Sequence, residues 1–141
     1  MNSPAWDDSM RTGDAHIDDQ HRRVLDLVDE LEAAETQSHS PSATLYSILD
    51  ELMGFTDTHF IAEEHLMRRV GYPAVPQGEM LKQHQEFKNY ARLRVLEFRH
   101  AGDVSVLPLL SYLTEWLVNH EFGLDRELVD WIRENQPGQL T

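Results

Sequence analysis

The chain has 141 residues, a length that suits one domain with a single core and is short for two. Its formal net charge of −13 disfavours nucleic acid and anionic membrane surfaces as partners. The absence of cysteine excludes disulfides, thiolate zinc sites and iron–sulfur clusters, and it fits a cytoplasmic location. No apolar run approaches the roughly 18 residues of a membrane span, and the N-terminus lacks a secretory pattern.

Four segments show the apolar periodicity of helices, and none alternates with the period of a strand. The first predicted helix covers 17–35. The second begins at Ser40-Pro41, an N-cap followed by proline in the first turn, and ends near Val70, before the break at 71–73.

The third predicted helix covers 76–100, with Gly102 as its stop signal. The fourth begins near Ser105, carries Pro108 in its first turn and ends before Pro137. Four helices with short connections favour an all-α, up-down-up-down antiparallel four-helix bundle.

The predicted bundle covers 15–135, and residues 1–14 are expected to form an extended N-terminal arm laid over it. This arm contains Trp6. Residues 1–141 are therefore predicted to form a single domain.

Histidine placement carries most of the chemical information. His59 and Glu63 are four residues apart on the second predicted helix, so both side chains point the same way. His120 and Asp125 are five apart on the fourth and diverge more, but both can reach a shared interior volume. The first and third helices contribute one histidine each, His21 and His84. Imidazole with carboxylate suits iron, manganese or zinc, and facing helices of a bundle can build dinuclear carboxylate sites.

Each of these pairs is weak evidence when taken alone. A surface helix often carries histidine and glutamate four residues apart merely for solvation. Four histidines and two carboxylates at compatible heights on four helices are harder to dismiss. The remaining histidines are expected at the surface: His16, His39, His65 and His100.

Several motifs resemble those of the hemerythrin family, and together they cover essentially the whole chain. The segments 6–10 (WDDSM) and 17–21 (IDDQH) resemble the opening pattern of that family. The segment 59–64 (HFIAEE) with Met67 resembles its second signature, and 71–73 (GYP) follows in the expected place. The segment 116–120 (WLVNH) with Asp125 resembles the last signature.

The resemblance implies a centre of two iron ions, Fe2+ or Fe3+, that binds dioxygen. His21 and His59 would bind one iron, and His84 and His120 would bind the other. Glu63 and Asp125 would bridge the two ions, together with an oxo or hydroxo group. Dioxygen would bind the iron with fewer histidines, in an apolar pocket for which the candidate residues are Phe60, Trp116, Phe122 and Met80. Each of these side chains, taken alone, is better explained by core packing.

Two positions depart from the family pattern. The third helix of the family usually carries a second histidine four residues before His84, and this chain has Met80 there, whose thioether is a poor ligand for ferric iron. The residue after the last histidine is normally apolar, and here it is Glu121.

Glu121 is predicted to be a seventh protein ligand, either compensating for Met80 or occupying the usual dioxygen position. It precedes Asp125 by four residues and therefore shares its helix face, and an unpaired carboxylate in the pocket would be costly. Glu79 is a weaker candidate, because it lies about 100° away from the face of Met80. The alternative is that Glu121 extends to solvent.

The leading functional hypothesis is a diiron protein that binds or senses dioxygen or redox state. Hard carboxylate ligands favour ferric iron, so the reduced protein is expected to autoxidise quickly. The alternative is a diiron enzyme of the peroxidase or oxidase type. Iron storage is disfavoured, because storage needs a cage. The sequence identifies no signalling partner.

Overall fold

The computed structural model describes residues 6–38, 43–101 and 105–141, and within them every side chain except those of residues 37, 38 and 120. The first three helices are α1 (Ala15–Ser38), α2 (Ala43–Val70) and α3 (Ala74–Ala101). The fourth helix of the bundle is continuous and has three parts: α4 (Leu107–Glu115), a π-helix (Trp116–Glu121) and α5 (Phe122–Asn135). No strand occurs in these ranges, so the predicted all-α four-helix bundle is confirmed.

Local hydrogen bonds explain why α1 begins earlier than the predicted position 17. Asp14 caps the helix, because its Oδ2 accepts a hydrogen bond of 3.0 Å from the backbone N–H of Ile17. Asp18 accepts hydrogen bonds of 2.8 Å from both the backbone N–H and the hydroxyl of Thr12. The hydrogen bonds of Asp14 and Asp18 hold the segment before α1 against the first turn of this helix. The predicted signals at Ser40-Pro41 and Gly102 lie outside the described residues.

Helix α2 ends where the sequence predicts, at Val70. Gly71 has a φ of +68°, and the N–H of Tyr72 donates a hydrogen bond of 2.9 Å to the carbonyl oxygen of Met67. This is a Schellman-type end, for which glycine is favoured because the left-handed conformation strains other residues. Pro108 lies in the first turn of α4, again as predicted.

The N-terminal segment is only partly extended. Asp8–Met10 forms a 3-10 turn, and Trp6 is half-buried against the bundle core. The guanidinium carbon of Arg22 lies 4.4 Å from the centre of the Trp6 ring, a cation–π contact between this segment and α1.

A layer of buried polar residues separates two apolar clusters of the core. On α2 Glu63 lies between Phe60 of the larger cluster and Met67 of the smaller one. The same order recurs on α3, with His84 between Phe87 and Met80, and on α5, with Asp125 between Phe122 and Leu128. In the described part of the chain no helix is both long and apolar enough to traverse a bilayer.

Candidate metal centre

Six side chains of the polar layer converge inside the bundle, and each is at most 2% exposed. They come from all four helices of the bundle: His21, His59, Glu63, His84, Glu121 and Asp125. One ligand atom from each of His59, Glu63, Glu121 and Asp125 lies within 4.8 Å of the others, and His21 forms an overlapping group with His59 and Asp125. We call these six residues the polar cluster.

Two carboxylates of the polar cluster lie between its histidines. Asp125 Oδ2 is 2.5 Å from His21 Nε2 and 3.0 Å from His59 Nε2. Glu63 Oε1 is 3.0 Å from His59 Nε2 and 3.3 Å from His84 Nε2. The chain of contacts therefore runs from α1 through α2 to α3, with Asp125 and Glu63 as its links.

Glu121 is brought into the same cluster and does not extend to solvent. Its side chain is fully buried, and Oε1 lies 3.1 Å from His84 Nε2 and 3.8 Å from His59 Nε2. The spacing of four residues between Glu121 and Asp125 predicts this inward direction. The structure thus adds a third carboxylate to the two that the family resemblance implies.

The π-helix that precedes α5 helps to orient Glu121. The N–H of Phe122 donates to the carbonyl oxygen of Leu117, five residues back. Residues five apart on an α-helix are separated by about 140° around the axis, whereas a π-turn brings them much closer to one face. Trp116 and Glu121 are five apart across this turn, and both are buried. Sequence periodicity did not reveal this irregularity.

Two cluster histidines have hydrogen-bond partners outside the cluster. His59 Nδ1–H donates to Gln20 Oε1 at 2.6 Å, and His84 Nδ1–H donates to Glu64 Oε2 at 2.9 Å. Each bond fixes the tautomer and leaves the Nε2 lone pair for the cluster, an arrangement typical of metal-binding histidines. Sequence reasoning missed both partners. The only indication in the sequence is that each partner is adjacent to a predicted metal ligand: Gln20 precedes His21, and Glu64 follows Glu63.

Burial and mutual repulsion set the charges of the cluster. Burial, with the charges of Asp125 and Glu121, raises the pKa of Glu63 well above its ordinary value. Burial alone would raise the pKa of Asp125 too, but the adjoining side chains of Glu63, His21 and His59 hold it well below its ordinary value. Burial would lower the pKa of His84, yet the hydrogen bond and charge of Glu121 and the hydrogen bond to Glu64 raise it.

The cluster has the unsatisfied groups that a cation would satisfy. Five of its buried polar atoms lack a hydrogen-bond partner: Glu63 Oε1 and Oε2, Glu121 Oε2, Asp125 Oδ1 and His21 Nδ1. Three carboxylates in one buried volume are costly unless positive charge compensates them. Imidazole nitrogen with carboxylate oxygen is a donor set that suits iron, and the residues therefore fit a metal centre.

Aromatic rings cover two of the histidines. Phe60 stacks on His84 with ring centres 4.1 Å apart, and Phe122 stacks on His21 at 3.8 Å. Trp116 meets Phe60 edge-on, with ring centres 5.8 Å apart. Met80 is also buried, but it packs in the smaller apolar cluster with Met67, Tyr72 and Leu128.

The structure separates the remaining candidates from the cluster or leaves them undescribed. Glu79 is exposed and accepts a hydrogen bond of 3.3 Å from Gln83. His120 lies in the π-helix, but its side chain is outside the described part of the structure. His39 also lies outside the described residues, and three other histidines are exposed, namely His16, His65 and His100.

The model of the Hemerythrin HHE cation binding domain matches residues 12–132. The chain belongs to the hemerythrin family. It is 33% identical to a bacteriohemerythrin of Stenotrophomonas maltophilia over 129 residues. This alignment covers 91% of this chain and 80% of that protein. It is 31% identical over 133 residues to a bacteriohemerythrin of Pseudomonas aeruginosa, covering 92% and 82% of the two chains. A hemerythrin-like protein of Naegleria gruberi is 28% identical over 120 residues, covering 85% and 86%.

Membership of the hemerythrin family confirms the resemblance read from the motifs. It implies non-haem iron and oxygen binding. The polar cluster lies on helices within the matched residues, and its histidines and carboxylates are groups that can bind metal.

Proposed function

We propose that this hemerythrin-family chain binds two iron ions in the polar cluster and binds or senses dioxygen, or redox state, through them. The observation that carries the proposal is the convergence of three fully buried carboxylates on three buried histidines, with carboxylate oxygens left without hydrogen bonds. A folded protein tolerates this concentration of charge when cations compensate it.

The contacts suggest how the ligands are divided. Asp125 Oδ2 lies against both His21 and His59, which favours one iron at these two histidines. His84 with Glu121, and with His120 by family resemblance, would hold the other. Glu63 lies between His59 and His84 and is therefore suited to bridge, as is Asp125. Iron held in this way supplies redox chemistry and an affinity for dioxygen.

The third carboxylate gives the proposal its specific character. Glu121 is buried in the cluster at the point where the family pattern has an apolar residue. Anionic oxygen donors favour ferric over ferrous iron, so a reversible cycle of dioxygen binding is disfavoured. The reduced protein should autoxidise quickly and should form little stable dioxygen complex.

To test the proposal, the reduced, iron-loaded protein is mixed rapidly with oxygenated buffer, and its visible absorption spectrum is recorded over time. Direct conversion to a diferric spectrum is expected if Glu121 is a ligand. A long-lived coloured dioxygen complex would show that Glu121 leaves the dioxygen position open. A chain that takes up no iron under these conditions would overturn the assignment of the metal.

A diiron enzyme of the peroxidase or oxidase type is the second candidate. The observation in its favour is the extra carboxylate, since a site that favours ferric iron is suited to react with dioxygen or peroxide rather than to carry it. Turnover of hydrogen peroxide with a reductant decides between the two. A rate no faster than that of free iron favours the sensor, whereas saturable turnover abolished by Glu63→Ala favours the enzyme.

A further inference from the structure

A partly enclosed cavity of about 300 Å³ lies beside the polar cluster. Its walls come from the beginning of α1, the second half of α2 and the C-terminal segment. Glu63 and Gln20 line its inner part, whereas its exposed lining residues include His16, His65, Arg69 and Thr141. A space of this size with polar groups in its walls holds several water molecules.

The inner part of the cavity reaches the polar cluster directly. Glu63 is 1% exposed, and neither of its carboxylate oxygens has a hydrogen-bond partner. Gln20 is half-buried and accepts the hydrogen bond from His59 Nδ1. A molecule in this cavity would therefore meet one residue of the cluster and the hydrogen-bond partner of another.

The cluster is covered differently on its other sides. The rings of Phe60 and Phe122 lie flat on His84 and His21, and Phe87 and Trp116 pack beside Phe60 with ring centres 4.6 Å from each other. Apolar rings at van der Waals distance impede a hydrated or hydrogen-bonding molecule, because it would lose its water without gaining partners. A polar reactant is therefore favoured to approach along the cavity.

The exposed lining residues select for a hydrogen-bond acceptor. The carboxylate of Asp14 is already engaged, since it accepts hydrogen bonds from the backbone N–H and hydroxyl of Thr141. Arg69 brings a positive charge to this part of a chain with a net charge of −13, and its Nε–H donates to Gln139 at 3.1 Å. An incoming molecule thus meets an arginine and the rings of His16 and His65.

We propose that this cavity is the access route by which small hydrogen-bonding molecules, of the size of azide or hydrogen peroxide, reach the metal centre. The inference rests on the proposed function, because a route needs a metal at its end. Apart from Glu63, the residues that line this route are not proposed metal ligands. Its residues control how fast such a molecule arrives and leaves, not how tightly the metal holds it.

The test is azide binding to the iron-loaded diferric protein, measured by stopped-flow absorption with two obstructing variants. Ala62→Phe places a ring in the wall of the cavity, and His65→Trp obstructs its exposed side independently. Each is expected to slow azide association and dissociation by about tenfold while the equilibrium affinity stays unchanged. Thermal melting followed by circular dichroism identifies a variant that fails to fold, in which case the other variant decides.

Val75→Trp is the matched control. Val75 is 85% exposed and lines a separate cavity of about 300 Å³ with Tyr72, Glu79 and Met80, which includes no residue of the polar cluster. This variant should leave both rates unchanged. Unchanged rates in the two obstructing variants, or equal slowing by Val75→Trp, would overturn the route. The route would also be overturned if the affinity for azide changed and only the dissociation rate accounted for the change. A protein that binds no iron would overturn both the route and the proposed function.

Discussion

The two halves of the polar cluster differ in the charge that surrounds their histidines. His84 donates through Nδ1–H to the carboxylate of Glu64, and its Nε2 faces the carboxylate of Glu121 at 3.1 Å. His59 donates instead to the neutral amide of Gln20. The half that contains His84 therefore concentrates negative charge, and it is also the half in which the family pattern places the histidine that this chain lacks.

If two metal ions bind as proposed, this difference would alter the position beside His84 more than the position beside His21 and His59. A carboxylate partner makes an imidazole a stronger donor, and a carboxylate ligand adds charge directly. Both changes act on the same half, where Met80 supplies packing to the smaller apolar cluster. In the proposed diiron centre, the half containing His84 would therefore favour ferric iron more strongly than the half containing His21 and His59.

The largest effect is expected from Glu121→Gln, which removes a charge from the half containing His84 at nearly constant volume. If Glu121 is a ligand, iron affinity at one of the two positions should fall by about 100-fold. Iron content per chain after dialysis against a weak chelator measures the loss. Glu79→Gln is the control, because Glu79 is exposed, accepts a hydrogen bond from Gln83 and is not part of the polar cluster. Two firmly held irons in Glu121→Gln would show that the carboxylate is not a ligand.

The next effect concerns the dioxygen complex. Met80→His together with Glu121→Ile restores the residue types that the family pattern has at these positions, and it should make the two halves more alike. The lifetime of the dioxygen complex should increase by about 30-fold, equivalent to about 2 kcal/mol in activation free energy. Rapid-mixing absorption gives the lifetime directly. An unchanged lifetime would mean that these positions do not govern autoxidation.

The outer hydrogen bonds provide a reciprocal comparison. Glu64→Gln removes the carboxylate behind His84, and Gln20→Glu introduces one behind His59. Glu64→Gln should speed iron release to a chelator from the half containing His84 by about tenfold. Gln20→Glu should slow iron release from the half containing His59. Mössbauer spectra of partly depleted samples distinguish the two irons. If both substitutions shift release in the same direction, the halves are not independent and the comparison fails.

Sequence periodicity and residue spacing were sufficient to predict the four helices and most residues of the polar cluster. His59 and Glu63 share a face because they are four apart, and the inward direction of Glu121 followed from its spacing to Asp125. These are properties of a regular α-helix, which a single sequence encodes locally. The end of α2 and the beginning of α4 followed in the same way from Gly71 and Pro108.

The features that were missed depend on tertiary packing. The π-helix leaves no distinctive local pattern in the sequence, and its widened turn places Trp116 and Glu121 in the buried core. Gln20 and Glu64 act on histidines of neighbouring helices, across separations of 39 and 20 residues. Such partners become visible only when the helices are placed side by side.

The smallest effect concerns the half containing His59, where Asp14 caps the helix that carries Gln20 and His21. Burial would raise the pKa of Asp14, but hydrogen bonds from Thr141 and Ile17 lower it overall. A carboxyl group with a lowered pKa in the folded state stabilises the fold above the pKa of the unfolded chain, near 3.9, and that contribution disappears as the pH falls through the lower folded value. Asp14→Ala should therefore cost about 1 kcal/mol in unfolding free energy at pH 7.

Denaturant unfolding of the parent and Asp14→Ala at several pH values tests this contribution. The difference in unfolding free energy should be constant from pH 7 to 5 and should shrink below pH 4, as the parent carboxyl takes up its proton. Because Asp14 caps the helix that carries Gln20 and His21, the substitution should speed iron release from the half containing His59 and leave release from the half containing His84 unchanged. If iron release from both halves became faster to the same extent, the beginning of α1 would support the whole polar cluster as one unit. The two halves would then differ only in the charge of their ligands.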